Sequence, residues 1–343
     1  MPDRQAAPRA EPLNNDRGEI PARQGTRRAA ARLLSGRPVR YGFVAVTVGL
    51  GGYAVAREWA GVRAGLASLG PGTAAAALLS VLAAMLATMQ AWRVLLAGLG
   101  SPLPARPAAR ILFIGQLGKY LPGSVWPVLA QMELGHAYHV PRHRSASASV
   151  LTMLMSLLTG LLAALVTLPW AAGATPYRWA FAVAPLLLVC LHPRLLNALL
   201  GWLLRLARRP ALEQPLTGRV VAAALAWSLG AWVLYGLQIW LLVVRLGAPP
   251  GRAALLAVGG YAFAWSAGFL IVIAPAGAGV RDVLLVAVLG PVLGVGGATA
   301  VALMSRVLTT VGDLLGAALA AGSSRRPPAG RHGKVTSHAN SVK

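Results

Sequence analysis

Between positions 41 and 320 the chain runs for long stretches almost without charge, and that decides the solvent it can fold in. Of its 41 charged residues, 18 sit in the terminal segments 1–40 and 321–343, and the 280 positions between hold only 23. The charged share of the whole chain is 12%, against roughly 25% in an ordinary soluble domain. So sparse a set cannot cover a water-facing surface. A soluble enzyme, a fibrous chain and a disordered chain are excluded. An all-α polytopic membrane protein with two polar tails remains.

The apolar runs place six full spans near Tyr41–Ala56, Thr73–Leu96, Ser145–Leu168, Arg178–Leu191, Val220–Val244 and Ala298–Ala320. Two other apolar regions, Ala109–Gly135 and Ala253–Gly296, are broken in the middle. The breaks are Leu121-Pro122-Gly123 and Ala274-Pro275-Ala276-Gly277-Ala278-Gly279. Proline removes a backbone donor and glycine weakens a helix. Each region therefore reads as a re-entrant hairpin of two half-helices. Such backbone survives at membrane depth only beside protein or a wet cavity, which marks both breaks as candidate sites. The domain reading is a disordered basic cytoplasmic tail over 1–40, a transmembrane domain over 41–320 and a second cytoplasmic tail over 321–343.

The formal charge of +23 belongs to topology, not to nucleic acid. With the N-terminus inside and each hairpin returning to the side it left, the inner connections carry nine arginines and the outer ones five. Both tails add 14 more basic residues to the inside. That is the positive-inside bias of a multi-pass protein of the cell membrane with both termini cytoplasmic. Residues Arg194–Arg209 carry a leucine stripe at near-helical spacing and read as a linker helix on the inner face. Arg93, beside Trp92, reads as an interface anchor. A lone Cys190 permits no intrachain disulfide or thiolate cluster. Glu133, His136, His139 and His143 fall on one helical stripe, but Pro141 interrupts it, and no metal site or cofactor is expected.

The order of segments suggests a duplication. Span, broken hairpin, span occupies 73–168 and again 220–320, with the hairpins opening from opposite sides. This is the arrangement of an inverted repeat, whose interface commonly holds the substrate of a carrier.

At the two breaks the sequence resembles a known family. Gly115-Gln116-Leu117-Gly118-Lys119-Tyr120-Leu121-Pro122-Gly123-Ser124-Val125-Trp126-Pro127 resembles the first signature of the lysylphosphatidylglycerol synthase transmembrane, or flippase-like, family. The stretch Ala274–Asp282 is similar to its second, a Pro-Gly-rich break entering a helix at a charged pair. Arg306 and Asp313 in the last span fit as well. Three features depart from the pattern. The stretch Val150–Val166 lacks the family's usual charges, Asp282 stands where Glu is usual, and no large cytosolic aminoacyl-transferring domain follows the last span. The resemblance implies traffic of aminoacylated lipids or polyprenol-linked envelope precursors.

The residues themselves name the chemistry. Lys119 lies at the buried end of the first half-helix, and an intramembrane charge is a functional-site hypothesis by default. It is read as a contact for lipid phosphate, as a structural pair with a carbonyl or Glu133, or as a side chain that snorkels to the interface. Ser124 is placed to cap the next half-helix, turning its N–H groups towards an anion. Asp282 suits a first helical turn, whereas Arg281 there opposes the helix dipole and needs a phosphate or an acid such as Asp313. Arg306 and Asp313, seven residues apart, each need a partner on another helix.

The expected substrate-binding set is thus Lys119, Pro122, Gly123, Ser124, Pro275, Gly277, Gly279, Arg281 and Arg306, with Glu133, Asp282 and Asp313 as coupling or structural ion pairs. No nucleophile elbow, phosphate-binding loop or paired carboxylates of a glycosyltransferase is present, so no enzyme is expected. The expected function is movement of an anionic membrane phospholipid or polyprenyl-phosphate lipid between leaflets. The alternative is a non-transporting scaffold that presents a lipid carrier to an envelope-biosynthesis enzyme.

Overall fold

A computed structural model describes residues 67, 69–121, 125–171, 180–206, 214–270 and 279–322. All lie in the larger of the chain's two units, Val46–Lys343. Among the described residues there are nine α-helices and one 3-10 turn, and no strand. They are α1 (Pro71–Gly98), α2 (Ala105–Gln116), the 3-10 turn Leu117–Tyr120, α3 (Trp126–His136), α4 (Arg142–Ala171), α5 (Ala180–Cys190), α6 (Pro193–Leu206), α7 (Gly218–Arg245), α8 (Pro250–Leu270) and α9 (Val280–Gly322). Helices α1, α4, α7, α8 and α9 are long and apolar enough to cross a membrane. The first three contain the expected spans Thr73–Leu96, Ser145–Leu168 and Val220–Val244. The expected span Tyr41–Ala56 lies outside the described residues.

Three elements differ from the expectation. Helix α8 is 21 residues long, about 31 Å at 1.5 Å per residue, so the first arm of the second hairpin has the reach of a complete span. Helices α5 and α6 meet at a 58° bend and together form one further candidate span. Leu196, Leu200 and Leu204 of α6 are buried, while Leu195, Leu199, Trp202 and Leu206 are exposed. Helix α9 is two helices joined at Gly294, whose φ of 69° and ψ of 166° are not helical. A side chain there would be strained. The second part of α9 is the expected last span.

Small residues draw these helices together, as expected where lipid supplies no hydrophobic drive between them. A Cβ on Gly312 would come within 2.8 Å of Val81, one on Gly160 within 2.8 Å of Trp232, and one on Gly236 within 2.7 Å of the Val258 backbone. Large apolar side chains such as Leu79, Val233, Val283 and Leu319 point outward instead. Helices α1 and α7, which open the two suggested repeats, run antiparallel: Gly98 faces Val220, and the Ser80 hydroxyl donates to the Leu234 carbonyl at 2.6 Å. Both helices end in Leu-Gly with the glycine at positive φ, 82° at Gly100 and 93° at Gly247. In both, the next N–H reaches back five residues, Ser101 to Leu96 and Ala248 to Val243.

Arginines sort the helix ends to two sides. Arg245, at the end of α7, donates to the Leu69 carbonyl just before α1, and Arg252, at the start of α8, donates to Ala171 at the end of α4. On the opposite side Arg144 of α4 donates to the Gly100 carbonyl beyond α1. Trp92 is fully buried and donates to the Ser149 hydroxyl, so it is a core residue and not an interfacial one. Arg93 is held by the Leu103 carbonyl and Gln90.

Helices α2 and α3 double back on each other. A Cβ on Gly115 would meet Gln131, and one on Gly118 would lie 2.9 Å from the Pro127 backbone nitrogen. Pairing of 115 with 131 and 118 with 127 means the arms run in opposite directions, as in a short hairpin. Beneath it Gln131 is bonded to the Ser149 hydroxyl, and its carbonyl accepts from Ser145.

Candidate anion site at the hairpin breaks

Five charged side chains from three elements converge here. Lys119 lies in the 3-10 turn after α2. Arg281 and Asp282 open α9, and Arg306 and Asp313 lie deep in its second part. Asp313 is nine residues from the end of α9 at Gly322, and Arg306 is twelve beyond Gly294. At 1.5 Å per residue these are about 14 Å and about 18 Å, so both lie well inside a helix that crosses a membrane.

The contacts form two sets. Lys119 Nζ is 2.6 Å from Asp313 Oδ2, and the Tyr120 hydroxyl donates to the same oxygen at 2.8 Å. The Asp313 side chain is 7% exposed and Lys119 35%. In the second set Arg306 Nη1 donates to Asp282 Oδ2 at 2.7 Å, and the Gly279 N–H reaches that oxygen at 3.2 Å. Gly279 has a φ of 87°, a conformation other residues adopt with strain. Asp282 therefore caps its own helix while holding an arginine from the far side of the Gly294 kink.

Arg281 is different. Its side chain is 13% exposed and its Nε lies 3.8 Å from Asp282 Oδ1, beyond hydrogen-bond distance. Its guanidinium stands over the Tyr261 ring at 5.7 Å from the centroid, a cation–π arrangement. Tyr261 stacks on Tyr235 at 5.4 Å, and Trp232 and Trp265 extend the aromatic wall. Arg306 and Asp313 lie two turns apart on the same helix, which sets the two groups of contacts side by side as one cluster. Among the described residues the guanidinium makes no hydrogen bond. Three cations against two carboxylates leave the cluster with one unmatched positive charge.

Lys119, Arg281, Asp282, Arg306 and Asp313 are thus brought together, with Gly279 as part of the cap. Glu133 is not with them. It forms a two-point pair with Arg142, at 2.8 and 3.1 Å, between α3 and the start of α4. Lys119 accordingly pairs with Asp313 and not with Glu133 or a carbonyl. Pro122, Gly123, Ser124, Pro275 and Gly277 lie outside the described residues. The N-cap of α3 is Val125, which makes no side-chain cap bond; the capping role expected of Ser124 falls outside the described residues. Sequence reasoning missed Tyr120, Tyr235 and Tyr261. Tyr120 carried a signal, standing between Lys119 and the break. The other two look like ordinary aromatics in apolar helices.

Fold and site together define a multi-pass helical membrane protein with a charged, aromatic-lined cluster held at membrane depth. The family model for the lysylphosphatidylglycerol synthase TM region matches residues 42–316, and the chain belongs to that family. No curated protein matches it.

Proposed function

We propose that this protein moves an anionic lipid headgroup between the leaflets of the cell membrane, with both termini in the cytoplasm and no chemical step of its own. The cargo is a membrane phospholipid or a polyprenyl-phosphate-linked envelope precursor. The observation that carries the reading is Arg281, an almost buried guanidinium whose fork has no hydrogen-bond partner among the described residues. Arg presents five donors in a planar fork suited to phosphate oxygens. Lys119 and Arg306, already matched by Asp313 and Asp282, set the field around it. The lipid tail stays in hydrocarbon, its preferred solvent. Only the headgroup meets a barrier, since desolvating an unpaired charge costs many kcal/mol.

The test is the initial rate of movement of fluorescent phosphatidylglycerol in reconstituted vesicles at matched protein density, with a melting curve for each variant. Arg281→Gln should slow movement ten- to hundredfold, the worth of one charged hydrogen-bond contact at about 1.5–3 kcal/mol. A wild-type rate from folded Arg281→Gln removes the arginine from the reading. If wild-type protein binds the lipid but moves it no faster than protein-free vesicles do, the scaffold role, presenting a lipid carrier to an envelope-biosynthesis enzyme, takes its place.

A further inference from the structure

Arg281 has to be held almost buried while its donors stay free, and a paired acid cannot do both. A carboxylate in contact would accept hydrogen bonds from the guanidinium, and a phosphate would then have to displace it. An aromatic face takes the place of that acid. The guanidinium stands over the Tyr261 ring, 5.7 Å from its centroid, while the neighbouring Asp282 Oδ1 is 3.8 Å from Nε, beyond hydrogen-bond distance. Resting on the anion-carrying function above, we infer that Tyr261 is the positioning residue of the seat. Its ring holds the Arg281 cation by the π face and keeps the fork off Asp282, so that a lipid phosphate meets free donors.

The ring is fixed from behind. Tyr261 is buried and stacks on Tyr235 of α7 at 5.4 Å, with the two planes 22° apart. Trp232, also of α7, lies 6.3 Å from it. That indole is fixed in turn: its Nε1–H donates to the Thr159 hydroxyl of α4 at 3.0 Å, and its six-membered ring lies where a side chain at Gly160 would be. Helices α4, α7 and α8 thus set the ring, and α9 brings the arginine to it. A functional side chain needs such support from the residues behind it.

The exchange of an acid for a ring also suits the charge of the cluster. A ring quadrupole attracts a cation without neutralising it, so the unmatched positive charge persists. In the free protein the fork then has two resting places, the Tyr261 face and Asp282. Weakening the face moves a fraction of the molecules to Asp282. The apparent affinity for phosphate falls by the fraction that stays over the ring.

The test uses purified full-length protein in neutral detergent and dihexanoylphosphatidylglycerol, with affinity read by calorimetry and a melting curve for each variant. Tyr261→Phe keeps the face and should bind within about twofold of wild type. Phenylalanine carrying one, two and three fluorines at position 261 weakens the face while ring size hardly changes. Affinity should fall step by step, about three- to thirtyfold in all, the range of one cation–π contact. In the Arg281→Gln background, where binding is weaker, the same series should be flat. A flat series with Arg281 present overturns the inference and leaves the arginine as the seat. A fall that persists in Arg281→Gln also overturns it, making Tyr261 a packing residue. If the series falls as expected but wild-type protein moves no lipid in vesicles, the transport reading fails and this one stands. No binding by wild type defeats the seat and both readings together.

Discussion

The two hairpins solve the problem of a charge inside a membrane in opposite ways. The second hairpin carries its own countercharge. Asp282 follows Arg281 directly, caps the helix they share and takes Arg306 from the same half of the chain. The first hairpin has a cation and no acid at its tip, since its one acid, Glu133, is engaged by Arg142. Lys119 borrows its partner from the last span, 194 positions away. The arms differ too: 12 and 11 residues in α2 and α3, against 21 in α8. The lesson is that a self-sufficient charged tip leaves its arginine fork unspent for a ligand, whereas the borrowed pair ties the two halves together.

That contrast can be broken first at the arginine. If the second hairpin is the seat, Arg281→Gln should cost one to two decades in lipid movement, and Arg281→Lys a smaller part because charge persists without the planar fork. Equal losses in the two variants, read as initial rates in vesicles, would mean that shape at Arg281 matters and charge does not. The next test concerns the close packing of the first hairpin. Gly118→Ala would place a Cβ 2.9 Å from backbone atoms of both Trp126 and Pro127, which cannot swing aside. We expect about 1–3 kcal/mol of destabilisation, visible as a lower melting temperature in detergent.

Its counterpart in the second hairpin, Gly279→Ala, meets no atom within 4 Å and is strained only by its φ of 87°. A loss of about 1–2 kcal/mol is expected there, in the lower part of the Gly118 range. A larger loss than at Gly118 would reverse the view that the first hairpin is the tighter of the two. The smallest effect belongs to the pair outside the cluster. Glu133→Gln should cost less than about 1 kcal/mol, as for other solvent-accessible pairs, and the loss should shrink further in high salt. Lipid movement should not change.

Much of this architecture was legible because hydropathy and punctuation act locally. The described helices stop short of the Pro-Gly stretches, with the 3-10 turn ending at Tyr120 and α8 at Leu270, and the positions of α1, α4 and α7 follow from charge-free runs. The same punctuation misled for α8, where a nearby break drew attention away from an uninterrupted run as long as a span. The site was legible as a set of residues and not as a set of pairs. Arg306 and Asp313 each needed a partner on another helix, yet nothing local says that Arg306 meets Asp282 and Asp313 meets Lys119. Those pairings depend on how the helices pack. The tyrosines escaped for a similar reason: Tyr261 matters because Arg281 lies over it, a relation across the α8–α9 contact that no spacing encodes.

The Lys119–Asp313 contact also imposes an order on the making of the protein. Lys119 is synthesised 194 residues before its partner. At roughly 5–20 residues per second, that is an interval of about 10–40 s. For that time the ammonium has no carboxylate to meet at depth, and a long basic side chain in that position reaches for the headgroup layer. The pair can close only once the last helix has been made and inserted. Formation of the contact is thus a late step of biogenesis, timed by the arrival of one acid in the last span.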